Sequence, residues 1–190
     1  MPERILDKWI PRADHGGRHE ITVRAPASVV MHVARNFEMQ SIWAVRAIIS
    51  LRARILGGEP APVVRKGLLE EMYGLGWAEL EEDGDRFLVA GAACQPWNAD
   101  PAFDTIPREQ FCAYAEPDRV KIAWTLEAEP LGPYKTRFAT ETRAVATDQE
   151  SRRKFGRYWR RFGIGIVLIR MLLLPAMRRQ AERRCNKADE

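Results

Sequence analysis

Cysteine is scarce in this chain of 190 residues: Cys94, Cys112 and Cys185 are the three present. An odd number with no C-x-x-C spacing excludes a disulfide scaffold and a zinc ribbon, and reduced thiols in a cytoplasm fit best. Histidine is equally sparse, at three. His15 and His19 lie four apart, but Gly16-Gly17 between them disfavours a helix, no H-E-x-x-H follows, and His32 stands alone, so no metal site is expected. G-x-G-x-x-G, G-x-x-x-x-G-K-[ST] and G-x-S-x-G are all missing, which removes the dinucleotide fingerprint, the phosphate loop and the nucleophile elbow. No cofactor is expected. The N-terminal twenty residues contain no apolar run of signal-peptide length, so secretion is not indicated. Repeats and low-complexity tracts are absent too.

What is present is a soluble composition, 46% hydrophobic and 29% charged, of a length that suits one domain. Charge is unevenly placed. Residues 151–190 hold twelve Lys/Arg against three Asp/Glu, whereas residues 1–150 hold eighteen against twenty-three. A basic C-terminal segment of this kind is either a helix with a charged outer face or a contact for anionic partners.

Residues 1–17 carry Pro2, Pro11 and Gly16-Gly17 and read as a tether, with a short apolar contact through Ile5, Leu6, Trp9 and Ile10. His19–Ala25 alternates as a half-buried strand. Pro26 suits a first helical turn, and Val29, Val30, Val33, Ala34 and Phe37 follow at helical spacing. A second helix carries Ile42, Val45, Ile49 and Leu56 and stops at Gly57-Gly58, and a short third one lies in "KGLLEEMYGLG". Gly76–Glu82 and Asp85–Cys94 form a hairpin turning at Asp83-Gly84. "QPWNADPAFDTIPREQ" reads as a long surface connection. Arg119–Glu129 and Lys135–Asp148 make a further pair of strands, with Val120, Ile122, Trp124 and Leu126 on one face of the first. The chain from Gln149 to about Arg184 is helical. Strands grouped together and helices segregated argue an α+β fold with a mostly antiparallel sheet.

The last helix contains "WRRFGIGIVLIRMLLLPAMRR". A spanning helix needs about 20 apolar residues. The run from Phe162 to Met177 is shorter and is interrupted by Arg170, whose charge at mid-bilayer would cost roughly 2.5–3.5 kcal/mol. A membrane span is therefore excluded. Phe155, Trp159, Phe162, Ile166, Ile169, Leu173 and Met177 instead recur in steps of three and four, an apolar face for some six turns. Gly163 and Gly165 within it imply tight packing on the sheet or room for something bulky.

Three stretches together, "ITVRAPASVVMHVARNFEMQ", "KIAWTLEAEPLGPYKTRFATETRAVATD" and "RRKFGRYWRRFGIGIVLIRMLL", resemble the opening strand and helix, the late strand pair and the gripping helix of the START-like superfamily. That group includes polyketide cyclase/dehydrase-like and lipid-transfer domains, and the resemblance points to a bacterial branch of it. It covers residues 18–184 and leaves 185–190 as a tail. It implies a helix-grip fold, a curved antiparallel sheet wrapped around a long C-terminal helix, with two short helices between the first two strands. It also implies a cavity between sheet and helix. Residues 59–75 and 95–118 are extra to the compact pattern of the superfamily.

On that frame the expected cavity residues are Ile122, Trp124 and Leu126 from one strand, Glu141 and Arg143 from the next, and Phe162, Ile166, Ile169 and Arg170 from the helix. Glu141 and Arg143 share one face of the Lys135–Asp148 strand. If that face is inward they form a polar pair in the cavity; if it is outward, Phe138, Thr140 and Thr142 point in. Arg170 either reaches Glu141 or carries its charge to water. Trp43, Trp77, Trp97 and Trp159 are further candidates for the wall or the core.

The leading reading is a binder of a hydrophobic or amphipathic small molecule, lipid- or polyketide-like. A cyclase or hydratase using the same cavity is the second, with Glu141 as acid or base and Tyr114 or Tyr158 assisting. A third is transient contact of the basic C-terminal helix with a membrane surface. No nucleic-acid module is recognisable, so no nucleic-acid partner is expected.

Overall fold

The computed structural model describes residues 4–60 and 62–188. The elements, in chain order, are β1 (His15–Val23), α1 (Ala27–Arg35), α2 (Trp43–Ile55), α3 (Leu68–Gly74), β2 (Ala78–Asp83) and β3 (Phe87–Cys94), followed by β4 (Phe103–Asp104), α4 (Arg108–Phe111), β5 (Val120–Gly132), β6 (Lys135–Ala146) and α5 (Gln149–Ala188). All strand pairs are antiparallel, in the order β1-β6-β5-β3-β2 with β4 added on β3. The fold is α+β. A curved six-stranded sheet is laid against one long C-terminal helix, the helix-grip arrangement, and α1, α2 and α3 join α5 on the same face.

Alternation sets the sheet's two surfaces. Ile122, Trp124 and Leu126 of β5 face α5, and the β5–β6 register places Ala144 beside Ile122 and Thr142 beside Trp124 on that side. β1 extends four residues further towards the N-terminus than its alternating core. Gly16 makes this possible, because a Cβ there would collide with the Thr142 carbonyl oxygen of β6. The hairpin turns at Gly84, which adopts φ 47° as its position demands.

α5 begins under tight control. The Asp148 carboxylate accepts hydrogen bonds from the Ser151 amide (2.8 Å), the Ser151 hydroxyl (2.7 Å) and the Asp118 amide (2.6 Å). These donors hold its carboxyl at about 2, led by the Ser151 amide. One side chain thus caps the helix and ties it to the loop that feeds β5. Pro175 lies inside the helix and supplies no N–H to the preceding turn.

The sheet is covered on both faces. On the face away from α5, Leu6, Trp9 and Ile10 are buried against Leu80, Val89, Ala93, Ile106, Phe111 and Ala123. Ile5–Asp7 forms a single 3-10 turn, and the Trp9 and Phe111 rings meet edge to face at 6.0 Å. Of the expected tether, Ile5, Leu6, Trp9 and Ile10 make their apolar contact with the outer side of β3, whose residues are buried almost throughout, residues 15–17 extend β1, and residues 1–3 lie outside the described residues. The stretch expected as a surface connection completes this layer through β4, α4 and the buried Ile106 and Phe111. Lys121 fastens it from beneath: its buried ammonium donates to the Phe111 and Cys112 carbonyls, both at 3.0 Å. The expected C-terminal tail is also partly structured, since α5 continues to Ala188 and Cys185 is buried in the main core; residues 189–190 lie outside the described residues.

The packed N-terminal layer has a direct consequence. Leu6→Ala should lose about 2–5 kcal/mol of unfolding free energy, the usual range for a buried leucine. Urea titration checks it, and a loss near zero would mean that the segment does not contribute to the core.

Candidate functional site

Between the sheet and α5 lies a cavity of about 400 Å³. Its floor is the α5-facing side of β5 and β6: Ile122, Trp124, Leu126, Phe138, Thr140, Thr142 and Ala144. Its roof is the stripe of α5, from Phe155 and Trp159 through Ile166, Ile169 and Leu173 to Met177. Ligand cavities of roughly 300–1,000 Å³ with mostly apolar walls are the norm for small-molecule sites.

The structure brings together Ile122, Trp124, Leu126, Ile166, Ile169 and Arg170 of the residues expected from sequence. It does not bring Phe162, which packs on the Tyr158 ring at 5.1 Å beside the cavity. Trp77 and Trp159 join Trp124 in the wall, whereas Trp43 is exposed. Trp97 lies under the Lys154 ammonium, 5.4 Å from its ring centre.

Glu141 and Arg143 are the main correction. Their strand presents Phe138, Thr140, Thr142 and Ala144 to the cavity, so the pair points to the opposite face. Glu141 is 3% exposed and accepts a hydrogen bond from Arg143 Nε at 2.8 Å. Arg143 Nη1 reaches Asp7 at 2.7 Å and donates to the Ile10 carbonyl at 2.9 Å. Arg18 Nη1 lies 3.7 Å from Glu141 and 2.7 Å from Glu127. The pair therefore pins the N-terminal layer to the sheet. It cannot orient a molecule in the cavity, and the carboxylate nominated as acid or base is out of reach. Tyr114 is likewise outside, in the N-terminal layer, donating to Asp104 at 2.8 Å.

Several wall residues carried no usable signal in the sequence. Leu68 and Met72 come from the 59–75 insertion, and Pro96, Pro101 and Phe103 from the 95–118 insertion. The segments that depart from the compact pattern thus build part of the wall. Met39, Ile49 and Arg52 come from the α1–α2 region, and His15 from β1. His15 stacks on Trp159, with ring centroids 4.9 Å apart and planes 6° from parallel, and burial pulls its imidazole below the usual range. Gly163 makes room for that indole: a Cβ there would meet Trp159 at 3.0 Å. Gly165 instead admits α2, with Ile48 at 3.2 Å from a Cβ placed there. Neither glycine serves to close α5 onto the sheet.

Chemically the cavity is apolar with a few polar groups of one charge sign. Among the described residues no Asp or Glu lines it. Arg52 is held by neutral oxygens: the Tyr158 hydroxyl (2.9 Å) and the carbonyls of Pro96 (2.8 Å), Asn98 (2.8 Å) and Ala99 (3.1 Å). Burial pushes the Cys94 thiol up to about 12, which leaves it protonated and a poor nucleophile near neutral pH. Among the described residues no three His, Cys, Asp or Glu side chains gather as a metal site would require, and no helix is long and apolar enough to cross a membrane.

Sheet, helix and cavity define an α+β protein of helix-grip architecture. No family model and no curated protein matches the chain. Among solved structures it is similar to the Zhui aromatase/cyclase of Streptomyces sp. R1128, at 15% identity and a TM-score of 0.31, with 90% of this chain and 94% of that chain covered. A hypothetical protein of Helicobacter pylori is similar at 14% identity and a TM-score of 0.33, over 76% of this chain and 78% of the other. CalU16 of Micromonospora echinospora is similar at 10% identity and a TM-score of 0.29, over 90% and 86%. These likenesses carry no functional argument.

The placement of Glu141 is testable. Glu141→Gln should cost roughly 1–3 kcal/mol of stability, the range for weakening a buried charged hydrogen bond, while leaving the affinity of a neutral apolar dye for the cavity unchanged. A fall in dye affinity with stability intact would put Glu141 in the cavity wall after all.

Proposed function

We propose that this chain is a START-like helix-grip protein that binds a hydrophobic or amphipathic small molecule, lipid- or polyketide-like, between its sheet and α5. The observation that carries this reading is the apolar cavity itself. A concave apolar wall left in contact with water is unfavourable, by about 25 cal/mol per Å² of apolar surface. Filling the cavity with an apolar ligand recovers that energy, and Trp77, Trp124 and Trp159 supply broad contact surface. A cyclase or hydratase is less well supported, because the cavity offers no carboxylate and its sulfur is a poor nucleophile. Three unpaired cysteines, two of them buried, support a reducing cytoplasm as its setting.

Nile red, a neutral apolar dye, provides the test. The wild-type chain should bind it, and Ile122→Trp, which adds bulk to the cavity floor, should weaken binding by at least about tenfold, or about 1.4 kcal/mol, with an unchanged circular dichroism spectrum. Equal affinity in the variant would move the dye, and the proposed function, out of the cavity.

A membrane-surface contact has an observation of its own. Trp43, Leu51 and Ile55 of α2, and Ile164, Leu168 and Met171 of α5, are exposed on neighbouring helices, Trp43 and Ile164 at 73% each. On α5 this exposed stripe lies between Arg153, Arg157 and Arg161 on one side and Arg179 on the other. Apolar side chains flanked by arginine suit the interface of an anionic bilayer, where a lipid-like ligand would be exchanged. Sedimentation with vesicles should rise with their anionic lipid content and fall in a Trp43→Ser/Ile164→Ser variant. Indifference to both changes would remove this contact.

A further inference from the structure

We infer that the cavity selects an acid-headed amphipath, and that Arg170 receives the acid group while the tail lies along the apolar walls. This inference rests on the ligand-binding reading above and names the class of ligand that the site takes.

Arg170 sits in the middle of the apolar run of α5, yet it is 9% exposed and lines the cavity. It does not reach Glu141, which is held by Arg143 on the far face of the sheet. Its guanidinium lies over β1: a methyl group at Gly17 would stand 3.6 Å from Arg170 Nη1. Among the described residues Arg170 has no hydrogen-bond or ion-pair partner, and burial alone, with no offsetting anion, acts on its acidity.

The other cations of the cavity wall and of the N-terminal layer are provided for, and Arg178, partly buried with an unpartnered Nε, lies outside the cavity wall. Lys121 has two carbonyls, Arg52 has four neutral oxygens, and Arg143 has Asp7, Glu141 and the Ile10 carbonyl. Removing a charge from water without a partner is among the most unfavourable things a fold can do. Arg170 is therefore the cation of the cavity wall left unmatched among the described residues, and a carboxylate or phosphate-type oxygen pair matches a guanidinium fork geometrically.

The surroundings fit a head-group corner. Gly17 pairs with Thr142 and His19 with Thr140 in the β1–β6 register, and both threonines line the cavity. His19 Nδ1 is buried and lacks a partner among the described residues, and its neighbour Arg170 helps keep that imidazole neutral. From this corner the walls become apolar in the direction of Ile166, Ile169 and Leu173. Among the described residues no Asp or Glu lines the wall, so no carboxylate there would pair with a cationic head.

The test uses three ligands with one tail: tetradecanoate, tetradecanol and tetradecyltrimethylammonium, each displacing Nile red below its micellar concentration at neutral pH. The wild-type chain should prefer tetradecanoate to tetradecanol by at least tenfold and bind the ammonium most weakly. In R170M the acid should lose that advantage while tetradecanol binds as well or better, and R170K should keep part of the preference. Acid and alcohol bound alike by the wild-type chain, or an acid preference that survives in R170M, would overturn the assignment while leaving the cavity reading in place. Failure of all three tails to displace the dye would overturn both. If R170M does not fold, the wild-type head-group series and R170K decide the matter.

Discussion

The buried ion pair between Glu141 and Arg143 fixes how everything else is arranged. Side chains of a strand alternate, so committing this pair to one face of β6 commits Phe138, Thr140, Thr142 and Ala144 to the other. The pair is tolerable in a buried position because it is not left to itself. Asp7, Arg18 and the Ile10 carbonyl complete the charge and hydrogen-bond network, and the N-terminal segment that supplies two of these is drawn onto the sheet. Buried ion pairs contribute modestly to net stability but disfavour any arrangement that separates them. Here the arrangement they disfavour is a one-residue slip of β6, which would fill the cavity with charge.

The two faces of the sheet consequently differ in kind. The N-terminal layer is packed on the sheet, and Asp7, Arg18, Lys121, Glu141 and Arg143 find charged or hydrogen-bonding partners there. The helix face keeps a gap. Trp159 lies over Gly163 and α2 presses on Gly165, so α5 is stood off by its own aromatic residue and by a neighbouring helix instead of settling onto β5 and β6. Arg170 projects into that gap with its charge unmatched. A cavity that is apolar, aromatic-walled and cationic at one corner has the physical character of a binding site for an amphipath. The exposed apolar residues of α2 and α5 lie on the helices that roof it.

Much of the fold was legible because its signals are local. The alternation of Val120, Ile122, Trp124 and Leu126, the Asp83-Gly84 turn and the helical spacing from Phe155 to Met177 each fix one element without knowledge of the rest. The inward direction of β5 and of the α5 stripe followed from the same patterns. The parity of β6 did not, because both of its faces mix polar and apolar residues, and Thr140 and Thr142 resemble solvent-facing positions as well as cavity ones. The N-terminal layer was legible as a short apolar contact through Ile5, Leu6, Trp9 and Ile10, but its prolines and glycines mark loops without saying how far a loop is docked or onto which face. One sign was available: "FLVAGAAC" in β3 does not alternate, and a strand buried on both faces reads this way. The wall contributed by Leu68, Pro96, Pro101 and Phe103 was illegible, since such contacts depend on how two insertions fold back and not on any spacing within them.

Photo-crosslinking tests the central claim most directly. A fatty acid carrying a diazirine in mid-chain, incubated with the intact protein and mapped by mass spectrometry, should label β5 and α5 at residues that face each other across the cavity, such as Trp124, Ile166 and Ile169. Labelling confined to the outer face of the sheet around Leu80 and Phe111, or spread over the exposed helix surfaces without these residues, would contradict a ligand site between sheet and helix.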